Sequence, residues 1–101
     1  MSVASQRSPD GHTVRIQVVG RFDFASHNDF RGAYRELPGP ATSFVVDLSR
    51  TEYLDSSALG MLLLLRDHAG ADHSHVVIEG ANPRVSSILR MAHFERLFEL
   101  R

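Results

Sequence analysis

The densest chemistry in this sequence is Asp55-Ser56-Ser57, a carboxylate beside two hydroxyls, lying between Tyr53-Leu54 and the apolar run that begins Ala58-Leu59-Gly60. Small polar residues ahead of an apolar-periodic run supply the oxygens that the first unpaired N–H groups of a helix need. The same N–H groups and the helix dipole would also receive a phosphate added to one of these serines. The segment is therefore either a cap alone or a cap that is also a switch. A hydrolase triad is a third use of a serine beside an aspartate, but no Gly-x-Ser-x-Gly elbow surrounds Ser56 and no oxyanion loop is evident. No catalytic residue is assigned, and the chain is not expected to be an enzyme. His68, His73 and His75, with Asp67 and Asp72 nearby, raise a metal site. A helix end, a loop and a strand start present no recurrent ligand spacing, so solvated histidines are the expected reading, with no metal and no cofactor. Gly60 and Gly70 are isolated and form no phosphate cradle.

The bulk composition narrows the setting. With 101 residues, 43% hydrophobic and 23% charged, the chain has the size of a single globular domain with one core. A net charge of −1 leaves no electrostatic footprint for a nucleic-acid backbone, and no direct nucleic-acid contact is expected. Every basic side chain is arginine, which favours planar pairing over general stickiness. The absence of cysteine excludes disulfides, thiolate zinc sites and a thiol nucleophile. It also fits a reducing cytoplasm. The first ten residues are polar and lack the apolar core of a signal peptide. Met61 to Leu65, the longest apolar run, is far short of a membrane span.

Several elements must position Asp55-Ser56-Ser57. Residues 1–10 read as a flexible polar arm, and residues 11–101 as one domain. Val14, Ile16 and Val18 alternate with polar residues as a half-buried strand that Gly20 ends, and Phe22 and Phe24 carry the alternation on through Asp23. Ser26 to Asp29 offer caps for a helix running to about Leu37, with Phe30, Ala33, Tyr34 and Leu37 at helical spacing, stopped by Pro38-Gly39-Pro40. Phe44 to Leu48 reads as a buried central strand, and Ser49 to Leu54 leads from it to Asp55. A second helix spans about Ser57 to Ala69 with Gly70 as its stop, Val76 to Ile78 is a further buried strand, and Pro83 opens a third helix. Val85, Ile88, Leu89, Ala92 and Leu97 line the inner face of that helix, and Phe94 to Leu100 leave room for a turn or a short last strand. Strand and helix in alternation mean crossovers and a mixed, mostly parallel sheet of about four to five strands with helices packed on it.

On the second helix, Ala58, Leu62, Leu65 and Ala69 share one face at about 100° per residue, flanked by Leu59 and Met61. Leu63 and Leu64 fall opposite, beside Gly60, Asp67 and His68, where a surface helix ordinarily carries charge. They are either an exposed apolar patch for a partner or leucines covered by a neighbouring helix or the arm.

Asp55-Ser56-Ser57-Ala58-Leu59-Gly60 after an apolar strand is similar to the phosphorylation segment of the bacterial anti-sigma-factor antagonists, the small STAS domains. Gly20-Arg21-Phe22-Asp23 resembles the family's acidic turn after the first strand pair, and Asn82-Pro83 with the following helix resembles its C-terminal unit. The likeness runs from about Thr13 to Leu100. One departure is Ala58, where many members have glycine; it raises helix propensity. What the resemblance implies is a STAS fold in a non-enzymatic, cytoplasmic binding module, a monomer when free. Its partner would be an anti-sigma factor that is also an ATPase-type serine kinase, from which it releases a sigma factor. Phosphorylation of Ser56 would switch it off, and a serine phosphatase would restore it. Asp23, Asp55, Ser56 and Ser57, with Leu63 and Leu64 beside them, are then the partner-binding residues. Asp23 alternatively only forms its turn, and Ser57 serves as a cap or first-turn residue. A STAS subunit of another assembly, such as a stress-sensing complex or a lipid-transport machine, is the alternative, with a small serine hydrolase behind it.

Overall fold

A computed structural model describes residues 2–39 and 42–101. Strand β1 (Ser2–Arg7) runs antiparallel to β2 (Thr13–Phe22), and β3 (Ser43–Asp47), β5 (His75–Glu79) and β6 (Glu99–Leu100) extend the sheet in parallel in the order β1-β2-β3-β5-β6. The sixth strand, β4 (Thr51–Leu54), pairs in parallel with the far end of β2. Helices α1 (His27–Gly32), α2 (Ser56–His68) and α3 (Pro83–Met91) alternate with the parallel strands, with short 3₁₀ turns before α1 and after α2 and α3. This is a mixed, mostly parallel α/β sheet, with six strands where four to five are expected.

The core follows from the alternation. Val14, Ile16 and Val18 of β2 join Phe44 and Val46 of β3, Val76 and Ile78 of β5, and the inner residues of all three helices in one buried cluster. On the other side of the sheet Val45 and Val77 are only half-buried, and Arg15 pairs with Asp47 at 3.2 Å and Glu79 at 2.6 Å. The helices therefore cover one face, and β3 and β5 are not the doubly buried strands that their valine runs suggest.

Other expectations are corrected. Ser2–Arg7 is a strand rather than a flexible arm, because backbone pairing to β2 at every position holds side chains that bury little; Met1 lies outside the described residues. Gly20 does not end β2. At φ +90° it takes the left-handed backbone that glycine adopts freely, and the register shifts there so that β2 continues to Phe22 beside β4. Helix α1 stops at Gly32, and residues up to Leu37 are turns, with Leu37 N donating to the Tyr34 carbonyl at 2.9 Å. Of the stop after it, Pro40 lies outside the described residues. At the C-terminal end both a 3₁₀ turn (Phe94–Arg96) and β6 form; Phe94 and Phe98 are buried there, whereas Ala92 and Leu97 are exposed.

Candidate functional site

Register places the site. Phe22 and Leu54 pair across β2 and β4, so the residues that follow them, Asp23 and Asp55, leave neighbouring strand ends; Asp55 N donates to the Phe22 carbonyl at 3.3 Å. Each aspartate then caps a helical turn. Asp23 accepts from Ala25 N at 3.1 Å while its own amide donates to Ser26 Oγ, a reciprocal box at the 3₁₀ turn Phe24–Ser26. Asp55 caps α2, accepting from Ala58 N at 3.0 Å.

The two serines are not equivalent. Ser57 is half-buried, and its hydroxyl donates to Asp55 Oδ1 at 2.6 Å. Ser56 is exposed at the first position of α2, and its hydroxyl has no hydrogen-bond partner among the described residues. The hydrogen bond from the Ser57 hydroxyl holds the Asp55 carboxyl below its usual range, with the Ala58 and Ser57 amides adding to it, against an opposing effect of burial that exceeds either amide's. The anion is thus kept by the cap itself. Asp55→Ala is expected to lower stability by about 1 kcal/mol. Because the folded protein depresses this pKa, the charge-dependent part of the contribution is present above the unfolded value of 3.8 and fades as pH falls through the folded one. Urea unfolding at neutral and at acid pH measures it. The stability gap between the parent and Asp55→Asn should shrink in acid, and a gap that widens contradicts the assignment.

Around the cap the surface is mixed. Arg21 lies across the Tyr53 ring at 4.9 Å and its Nε is 3.6 Å from Asp23 Oδ2. Phe24, expected to continue the inward alternation of Phe22, is instead 74% exposed and stacked on His27. The cap at Asp23 breaks the strand period and turns the next side chain outward. Sequence reasoning missed this residue, and the signal was Asp23 with Ser26 three positions on, a capping box. Down α2, Ser56, Gly60, Leu63, Leu64 and Asp67 are all exposed on the outer face, with Leu63 38% and Leu64 51% accessible. Of the two readings of these leucines, the structure gives the exposed one. A Cβ on Gly60 would meet nothing within 4 Å, so no internal packing requires glycine there, although a mid-helix glycine costs about 0.5–1 kcal/mol against alanine. It leaves the α2 backbone bare between Ser56 and the leucines.

The histidines do not behave alike. His73 and His75 are exposed, but His68 is half-buried, its Nε2 2.7 Å from the Leu37 carbonyl and its ring 5.1 Å from that of Tyr34. It is a packing residue between α2 and the turns after α1, not a solvated one. Among the described residues no group of three or more His, Cys, Asp or Glu side chains converges as a metal site, and no helix is long and apolar enough to cross a membrane.

Comparison with known proteins agrees with the fold. Residues 5–100 match the family described as "Mlab, STAS domain". A STAS-domain containing protein of Pseudomonas aeruginosa is 47% identical over 99% of both chains. An anti-sigma factor antagonist from Mycobacterium paratuberculosis superposes with TM-score 0.79 at 18% identity, covering 98% of this chain and 85% of that one. The Bacillus cell fate determinant SpoIIAA in its phosphorylated form gives TM-score 0.75 at 15% identity, over 99% and 91%. At such identities the two structures speak to the fold.

Proposed function

The chain belongs to the STAS domain family, and from that premise we propose that it is an anti-sigma-factor antagonist, a binding module rather than an enzyme, switched by phosphorylation of Ser56. The observation that carries this reading is the exposed Ser56 hydroxyl, without a hydrogen-bond partner among the described residues, at the first position of α2 and on the same exposed helix face as Leu63 and Leu64. In the unphosphorylated state that face docks an ATPase-type anti-sigma factor and serine kinase in the cytoplasm, which frees a sigma factor. Phe24 and Asp23 flank the docking edge. The existence of a phosphorylated form of a protein with this fold supports the switch. A phosphoserine adds about −1.5 to −2 charges at neutral pH, and the N-terminus of α2 is where the chain itself tolerates them best. The partner, by contrast, must desolvate that charge. A serine phosphatase reverses the step.

A second reading, a STAS subunit of another assembly, draws on the family description, which names no anti-sigma role. Pulldown from an extract of the source organism with mass spectrometry separates the two. An ATPase-type anti-sigma kinase retained by the parent bait and lost from Ser56→Glu is the expected result; a membrane-transport or stress-sensing complex retained equally by both baits favours the second reading.

A further inference from the structure

We propose that the groove between α1 and α2 docks an acidic segment of a protein partner, whose carboxylates pair with Arg31 and Arg35 while an apolar side chain seats on Leu64. The groove measures about 360 Å³ and is lined by Arg31, Tyr34, Arg35, Leu64 and His68, with no carboxylate among them. Arg31 enters no ion pair among the described residues. Among the described residues Arg35 pairs only with its neighbour Glu36 at 3.5 Å, both side chains being well exposed, and such a pair is readily exchanged for a better one.

The floor is fixed before anything binds. Tyr34 is 5% exposed, its ring set edge-on to Phe44 at 6.4 Å and tilted against His68 at 5.1 Å, and the His68 contact with the Leu37 carbonyl ties the turns after α1 to α2. An acidic chain meeting two arginines over this floor gains charge-assisted pairs without reorganising the groove. A small anion would satisfy the arginines and leave Leu64 uncovered. A peptide segment with an apolar residue among its carboxylates satisfies both. The proposal shares only Leu64 with the docking face described above.

The test is a titration of the uniformly ¹⁵N-labelled, unphosphorylated full chain with a capped peptide of repeating Glu-Glu-Leu-Phe, followed by amide shifts. Shifts are expected at Tyr34, Leu64 and His68, with affinity falling about tenfold or more in the double variant Arg31→Glu, Arg35→Glu. The same peptide with lysine in place of glutamate should not bind. Arg31→Gln with Arg35→Gln gives the same comparison should the charge reversal disturb folding. No shifts, shifts elsewhere, equal binding of the lysine peptide or undiminished binding by the double variants overturns the proposal. So does preferential binding to phosphatidylglycerol vesicles, which would make the groove a membrane contact. Because no kinase is present, failure here leaves the Ser56 reading standing, and failure of kinase labelling leaves this one standing.

Discussion

Stoichiometric phosphorylation of Ser56 is expected to weaken binding of an ATPase-type anti-sigma partner by about 3 kcal/mol, on the order of a hundredfold, with little change in the melting temperature. The two halves of this result have separate causes. In the free chain the phosphate sits at the first position of α2, where unpaired N–H groups and the helix dipole favour an anion by about 0.3–1 kcal/mol. Repulsion from the nearby Asp55 carboxylate, itself held anionic by the Ser57 hydroxyl, offsets part of that. The fold is left near where it began. In the complex the phosphate adds charge to an edge that already carries Asp23 and Asp55, and a docked partner strips water from it. Calorimetric titration of the partner against both forms measures the difference. Ser56→Ala should bind like the unphosphorylated parent, and equal affinity of the phosphorylated and unphosphorylated chains would remove the switch.

Leu62→Ala is expected to lower stability by about 2–5 kcal/mol, and Leu64→Glu to change it by less than about 0.5 kcal/mol. The two leucines are separated by two positions on α2, and the helix turn puts them on opposite sides. Leu62 is fully buried against the sheet, so truncation leaves a cavity that a close-packed core fills only in part. Leu64 is half exposed, and a carboxylate there replaces apolar surface that already meets water. Partner binding should respond in the opposite order: Leu64→Glu, though well folded, should bind more weakly. Urea unfolding of both variants decides the first half. A large loss of stability for Leu64→Glu would make that residue core and take the docking face away.

Where the sequence could be read, one physical signal dominated. Val14, Ile16 and Val18 keep a clean period of two in β2, and Ala58, Leu62, Leu65 and Ala69 keep a helical period in α2, so the sheet and its main helix were legible together with the cap between them. Strand β1 carries no such period, since Ser2–Arg7 is held by its ladder to β2 and not by burial. Only four residues long, Thr51–Leu54 shows little of its role in setting Asp23 beside Asp55. Gly20 reads as a terminator in sequence because a bulge that re-aims a strand uses the same residue as a turn. His68 takes its role from a carbonyl 31 positions away, and the arginine groove from the meeting of α1 and α2. Contacts of that kind have no local pattern.

Ser56 is the residue that a kinase is expected to modify, and its neighbour supplies the control. Incubation with the ATPase-type anti-sigma kinase of the same organism and ATP, followed by phosphosite mapping, should place the phosphate on Ser56. Ser57→Ala should still be labelled, because the Ser57 hydroxyl is engaged by Asp55, and Ser56→Ala should not. Labelling of Ser56→Ala to the same extent as the parent chain would show that Ser56 is not the switch.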